Sequence, residues 1–389
     1  MRVLMISDVY FPRVNGVSTS IRSFRRELQA QGHQVTLVTP AYPHSAEFDQ
    51  QHPDPDLIRV TSLPIPRDPE DRLMRRSQLL QLLPELKKQS FDVVHIQTPF
   101  VAHYAGVTLA RQLKLPTIES YHTFFEEYLY HYVPLIPRGV LRFAARRFTV
   151  SQCNSVKLVI APSHAMHDAL RNYGVTTPIT ILPTGLEASQ FKRGNSALFR
   201  QQHGFTAQQP IALYVGRVAH EKNIDFLLTM FKQTLAQVPQ ATLLIVGEGP
   251  AVPHLRGQVQ QLGIHHAVKF IGYLDRDSDL LDCYSAGDVF VFASRTETQG
   301  LVLLESLAQG TPVVSTAHMG TRDILEAAQG AQIVNEDTAQ FAQVVANILS
   351  NPPVRVRLAA HAVVDAQRWS SVEMTQRLLR LYTELVATK

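Results

Sequence analysis

Short apolar runs alternate with helical stretches along this 389-residue chain, and the pattern starts twice. Val3–Ile6 has the character of a buried strand. Ser18–Gln31 then carries Ile21, Phe24 and Leu28 at helical spacing, Gly32 closes it, and Val35–Val38 is the next strand. Further strands fall at Val93–Ile96, Thr117–Glu119 and Leu158–Ala161, with a helix near Val101–Leu113. After about Leu186 the rhythm restarts with Ile211–Val215, Thr242–Val246, Val268–Ile271, Val289–Phe292, Pro312–Ser315 and Gln332–Val334. Helical stretches such as Ile224–Gln237, Leu301–Gln309 and Thr338–Leu349 lie between them. A strand that is apolar throughout must be covered on both faces, and helices alternating with parallel strands provide that cover. The spacing therefore predicts an α/β chain of two doubly wound domains, 1–185 and 186–368, joined near Pro183–Asn195. Ligands of such folds sit at the carboxyl ends of the strands, which places the expected site in a cleft between the domains. The tail, 369–389, reads as one amphipathic helix free to pack on either domain, with Met374, Leu378, Leu381, Tyr382 and Leu385 on one face. The Pro-rich stretch Pro53–Pro69 reads as an irregular loop.

Composition narrows the class. The chain is 45% hydrophobic and 18% charged, ordinary for a globular protein. The apolar start, Met1–Ile6, meets Ser7-Asp8 at once, too short for a signal peptide or a membrane span, and no later run reaches spanning length. Cys153 and Cys283 have no metal-site or disulfide spacing and fit a reducing cytoplasm. Residues 1–185 hold 20 Lys and Arg against 15 Asp and Glu, whereas 186–389 hold 17 against 18. The basic excess lies in the first half, where it suits an anionic partner such as a membrane surface or an acidic acceptor; an ordinary solvated surface would carry it equally well. No nucleic-acid partner is expected.

Four constellations carry chemistry. Glu297 and Glu305 are eight apart with Gly300 and Leu301 between them, at the mouth of a helix. Backbone N–H groups there favour a diphosphate, and carboxylates accept hydrogen bonds from the paired hydroxyls of sugars. Gly216-Arg217 follows the strand Ile211–Val215, with Lys222-Asn223 where the next helix begins. Two cations at one helix start repel unless an anion lies between them, and a phosphate pair would serve. Asp8…Asn15-Gly16 is the loop after the first strand, where a glycine before a helix lets backbone approach a phosphate. His122, in Ser120-Tyr121-His122-Thr123, stands at a strand end where it can hydrogen-bond a polar ligand. Taken singly, each also reads as ordinary surface or structural chemistry.

Together, and in this order, these residues resemble the retaining glycosyltransferases of family four, whose two-Rossmann fold is called GT-B. The resemblance covers nearly the whole chain and implies a nucleotide-sugar-dependent hexosyltransferase. It implies that Arg217 and Lys222 grip the donor phosphates, that Glu305 binds the ribose, and that Glu297 lies beside the transferred sugar. Gly16 matches the loop that closes on the diphosphate, His122 the histidine near the donor sugar, and Gly272-Tyr273-Leu274 the region reading the base. Family members more often have Phe before Gly300; Gln299 here resembles the glycolipid-forming branch. That branch implies glucose from UDP-glucose, passed to diacylglycerol on the inner face of the cell membrane, with Glu126 a candidate on the acceptor side. A mannosyl donor with a polyprenyl-linked or soluble acceptor is the alternative.

Arg138, Arg142 and Arg146 recur at i, i+4, i+8 among Leu141, Phe143, Ala144 and Phe148, a basic amphipathic pattern suited to an anionic bilayer and also to a packed surface helix. Arg72, Arg75 and Arg76 add positive charge. Asp277-Ser278-Asp279 has the Asp-x-Asp form that holds a metal in another glycosyltransferase fold. Here it belongs to an acidic run at a helix start, where carboxylates are favourable anyway. With Arg217 and Lys222 available for the phosphates, neither a metal nor another cofactor is expected. The absence of Gly-x-Gly-x-x-Gly after the first strand disfavours a dinucleotide oxidoreductase. A nucleotide-sugar epimerase remains the rival on the same fold.

Overall fold

The computed structural model describes residues 1–65, 68–122, 138–275 and 279–388. They form two compact units, Met1–Gly185 with Ser371–Lys389, and Leu186–Ser370.

The first unit is built on β1 (Arg2–Ile6), β2 (Gln34–Pro40), β3 (Leu57–Val60), β6 (Val93–Ile96), β7 (Thr117–Ser120), β8 (Leu158–Ala161) and β9 (Ile179–Ile181), all parallel in the order β3-β2-β1-β6-β7-β8-β9. Residues Val3 to Ile6 are wholly buried, the consequence of helices on both faces. Strand order reverses between β1 and β6, and such a reversal opens a crevice at the carboxyl ends. Helix α1 (Gly16–Ala30) starts where the Asn15 side chain accepts the Ser18 N–H at 2.9 Å. Helix α2 is Val101–Leu113 and α3 is Arg138–Cys153. The stretch Pro53–Pro69 is not the irregular loop expected: it supplies β3 and, with β4 (Ser62–Ile65) and β5 (Asp68–Met74), an antiparallel hairpin. Proline is tolerated there because a two-stranded ribbon is all edge, so a missing N–H need not break a ladder.

The second unit holds β10 (Ile211–Val215), β11 (Thr242–Val246), β12 (Val268–Gly272), β13 (Val289–Phe292), β14 (Val313–Ser315) and β15 (Ala331–Ile333), parallel in the order β12-β11-β10-β13-β14-β15. Its reversal lies between β10 and β13. Tyr214, Phe290, Phe292 and Phe341 are among its fully buried side chains. Helices α4 (Ile224–Gln237) and α5 (Leu301–Ala308) follow β10 and β13.

The chain leaves the second unit at Trp369, whose carbonyl accepts the Leu186 N–H at 2.7 Å. Tail helix α6 (Ser371–Ala387) then packs in the first unit, burying Met374, Leu378 and Tyr382 in a cluster with Val3, Met5, Ile21 and Leu28. No helix among the described residues is long and apolar enough to cross a membrane.

Candidate active site

The loops leaving β10 and β13 flank the reversal of the second sheet, and they carry the strongest sequence candidates. Tyr214 is fully buried and stacked on Phe292, with centroids 6.0 Å apart. Its hydroxyl donates to the Arg217 carbonyl at 3.0 Å, which fixes the turn Gly216-Arg217 while the Arg217 side chain stays exposed. A short 3-10 turn, His220–Lys222, follows, and Asn223 in the left-handed region (φ 57°) opens α4. Lys222 Nζ donates to Glu297 Oε1 at 2.6 Å, with only 13% and 20% of the two side chains exposed. Residues 75 apart in sequence thus meet at the same point, and the carboxylate offsets desolvation of the lysine.

Gly300 adopts φ 97° at the start of α5, and no side chain caps that start. The segment before it is pressed on the loop after β14: the Gly320 N–H donates to the Glu297 carbonyl at 2.9 Å. Glu305, one turn into α5, is 1% exposed, accepts the Tyr284 hydroxyl at 2.8 Å and lies 3.3 Å from Gln190 Nε2. Its carboxylate is therefore held by the protein itself. At the end of β12, Gly272 has φ 87° and Tyr273 is 55% exposed.

Sequence reasoning passed over Gly247-Glu248-Gly249, which follows β11. A Cβ on Gly247 would lie 2.0 Å from the Gly216 carbonyl oxygen, and one on Gly249 2.3 Å from that of Val218. The backbone of this loop bonds directly to its neighbours: Gly216 N–H to Val246 O at 3.0 Å, Val218 N–H to Glu248 O at 2.8 Å, and Gly247 N–H to Gly272 O at 2.7 Å. Three loops are thereby laced beyond the sheet edge, and only glycine allows the approach. A Gly-x-Gly directly after a buried strand was the available signal. Also unforeseen is Glu336, which pairs with Arg295 and accepts Asn223 Nδ2 at 3.1 Å, tying the loops after β10, β13 and β15. Arg295 and Asn223 hold its carboxyl below the usual carboxylate range.

In the first unit, Asp8 lies at the end of β1 and is nearly buried. It accepts Thr98 Oγ1 at 2.9 Å and the Ala102 N–H at 3.1 Å, so it caps α2 from 94 residues away. Burial pushes its carboxyl up to about 7, against the lowering effect of these bonds. Gly16 has no atom within 4 Å of where a Cβ would stand, so its surroundings are open. His122 is half-buried with Nε2 3.1 Å from Gln97 Oε1, and burial lowers its imidazole to about 4. Neutral His122 donates from Nε2 to that amide oxygen, which makes Nδ1 its acceptor atom.

Helix α3 buries Leu141, Ala145 and Thr149, while Arg142 and Arg146 are exposed and Arg146 lies 5.0 Å over the Tyr173 ring. The outermost apolar side chains are Val140 and Phe143, 57% and 68% exposed. Arg138 begins the helix, but its side chain lies outside the described residues, as do Glu126, Asp277 and Ser278.

The family profile described as "Glycosyl transferases group 1" matches residues 195–363, and that of "Glycosyltransferase Family 4" matches residues 14–190. The alpha-monoglucosyldiacylglycerol synthase of Streptococcus pneumoniae is 35% identical over 325 residues, covering 81% of this chain and 71% of that protein. A protein of the same name from Acholeplasma laidlawii is 24% identical over 394 residues, covering 99% and 98%. Among solved structures, Anabaena Alr3699/HepE in complex with UDP and glucose superposes with a TM-score of 0.79 at 19% identity, over 99% of this chain and 100% of that one. That likeness establishes the fold, GT-B with two Rossmann-like halves.

Proposed function

This chain belongs to the family 4, group 1 glycosyltransferases, nucleotide-sugar-dependent hexosyltransferases, and on that premise we propose that it transfers glucose from UDP-glucose to a membrane lipid, diacylglycerol being the first candidate, with retention of configuration. The observation that carries the reading is the meeting of Lys222 with Glu297 beside Arg217 and the uncapped start of α5, all at the reversal of the second sheet. Charge builds on the donor phosphate as the glycosidic bond breaks. Arg217, Lys222 and the first amides of α5 stabilise it there, and each such donor is worth ~3–4 kcal/mol of barrier. Glu297, released from Lys222 by the incoming phosphate, accepts from a hydroxyl of the transferred sugar. Glu305 takes the ribose hydroxyls, since a carboxylate can accept several hydrogen bonds at once. The acceptor hydroxyl attacks from the face the phosphate leaves, and the departing phosphate takes its proton, so the protein supplies no nucleophile and no metal.

The lipid acceptor is supported by the names of the two synthases, by the basic excess of residues 1–185, and by Arg142, Val140 and Phe143 exposed together on α3. Each basic residue near an anionic surface contributes about 1 kcal/mol, so several hold a peripheral enzyme on the cytoplasmic leaflet. The test is nucleotide release and lipid product formation from UDP-glucose and from GDP-mannose, with and without diacylglycerol in anionic vesicles. Glucosylated lipid from UDP-glucose, made equally well in excess chelator, is the expected result. Donor turnover indifferent to lipid would remove the acceptor assignment, and a preference for GDP-mannose would replace the sugar.

A further inference from the structure

Behind His122 the first sheet carries two rungs of side chains between neighbouring strands. β6 and β7 run side by side, with His95 opposite Ile118. His95 is on β6 and Ser120 ends β7, and Gln97 and His122 follow just beyond the two strand ends. One rung joins His95 Nε2 to Ser120 Oγ at 2.8 Å; the next joins Gln97 Oε1 to His122 Nε2 at 3.1 Å. The first rung continues into the tail helix. His95 Nδ1 lies 2.6 Å from the hydroxyl of Tyr382, a residue 287 positions later that is wholly buried and meets the imidazole edge-on at 5.7 Å.

An amphipathic helix needs only apolar residues to bury one face, and phenylalanine would fill the same space. A buried phenol hydroxyl is costly unless paired, and here it is paired with a histidine that is itself buried. Burial pushes the His95 imidazole down to about 3 and holds the Tyr382 phenol well above its ordinary value, so both are neutral. A neutral imidazole has one donor and one acceptor nitrogen. With the phenol donating into Nδ1, the His95 proton sits on Nε2 and is donated to Ser120 Oγ; the other tautomer reverses both bonds.

We propose that Tyr382 is a positioning residue for glycosyl transfer: through the His95 tautomer it holds Ser120, and with Ser120 the strand end that orients His122. The role rests on the glycosyltransferase reading and on the part that the resemblance of the sequence gives His122. The tail helix is thereby part of the site's support rather than a cover for the first unit's core alone.

Tyr382→Phe in the full chain keeps the ring and removes one hydroxyl. The expected result is a kcat lower by roughly tenfold, the low end of the loss that follows removal of the hydrogen-bond partner behind a metal-ligating histidine, with the donor KM changed less than about twofold. The imidazole 15N resonances of both His95 and His122 should move. A kcat within twofold of the unsubstituted protein, or His122 resonances unmoved while those of His95 shift, overturns the proposal; a helix that merely packs would give that outcome with a lowered Tm. If Tyr382→Phe does not fold, Ser120→Ala breaks the relay one bond further on and must reproduce the loss of kcat. Full activity in that variant also overturns it. His122→Ala separates the two readings. Unchanged turnover there removes the role of His122, whereas the nitrogen shifts decide whether Tyr382 acts on it.

Discussion

The two units place their polar groups differently, although both are parallel sheets with one reversal. In the second, β10, β11 and β13 are apolar and buried along their length, and the candidate chemistry stands on the loops at their carboxyl ends. Those loops are held by backbone contact, as where Gly247 meets Gly216. In the first, the strands themselves carry buried polar groups: His95 on β6, Glu119 and Ser120 on β7. Glu119 is bonded to His103 of α2 at 3.1 Å. A loop frame laced by backbone bonds at the edge of an apolar sheet does not depend on protonation, whatever the side chains it carries do. A site whose support is a chain of buried imidazoles and carboxyls is ordered only while each group keeps its proton state.

The largest effect expected on this contrast is chemical and belongs to the second unit. Arg217→Ala and Lys222→Ala should each lower turnover by ~10²–10³-fold, the cost of losing one preorganised donor at developing charge, with little change in Tm for the exposed Arg217. Steady-state kinetics and thermal melts on both proteins check this, and near-normal activity in both would move the phosphate site elsewhere. The next effect is steric. Gly247→Ala drives a methyl into the Gly216 carbonyl and should cost about 1–3 kcal/mol of unfolding free energy, together with donor affinity. Gly16→Ala, where a Cβ meets nothing, should be neutral or slightly stabilising. Urea unfolding compares the two directly, and equal effects would break the idea that only the second unit builds its site from close backbone.

A third effect should appear in nucleotide binding. Glu305→Ala removes a buried acceptor of the Tyr284 hydroxyl and of Gln190, which costs roughly 1–3 kcal/mol in stability, and it should weaken binding of free nucleoside diphosphate. Glu297→Ala should spare that binding and affect the sugar. Calorimetry that finds the reverse pattern would exchange the two roles. A separate effect is the pH dependence of the first unit. His95 and His122 are lowered to about 3 and about 4 on folding. Their contribution to stability is therefore present above the unfolded value near 6.5 and is lost as pH falls toward 4 and 3. Asp8 is raised to about 7 and works oppositely: its contribution is present below about 4 and is lost as pH rises through 7. Asp8→Asn should flatten that upper limb in denaturant titrations between pH 4 and 8, and an unchanged profile would show that Asp8 does not titrate there.

The short range of the apolar code explains what was legible. A buried strand announces itself in four or five consecutive residues and a helix in one turn's periodicity, so the two parallel sheets, the restart near Leu186, and the loops bearing Arg217, Lys222, Glu297 and Gly300 were all readable from the sequence. The Pro-rich stretch misled because proline marks loops by propensity, whereas a free hairpin edge accommodates it. What only tertiary structure decided is which side chains meet. Lys222 with Glu297, Gln190 with Glu305, Asp8 with the start of α2, and His95 with Tyr382 are 75, 115, 94 and 287 residues apart. These meetings depend on strand order and on where the tail helix finds an uncovered apolar face. The tail's own apolar stripe specifies that it will be buried but not against what, because burial of apolar area is non-directional. The surroundings of Tyr382, not its periodicity, bring its hydroxyl to His95.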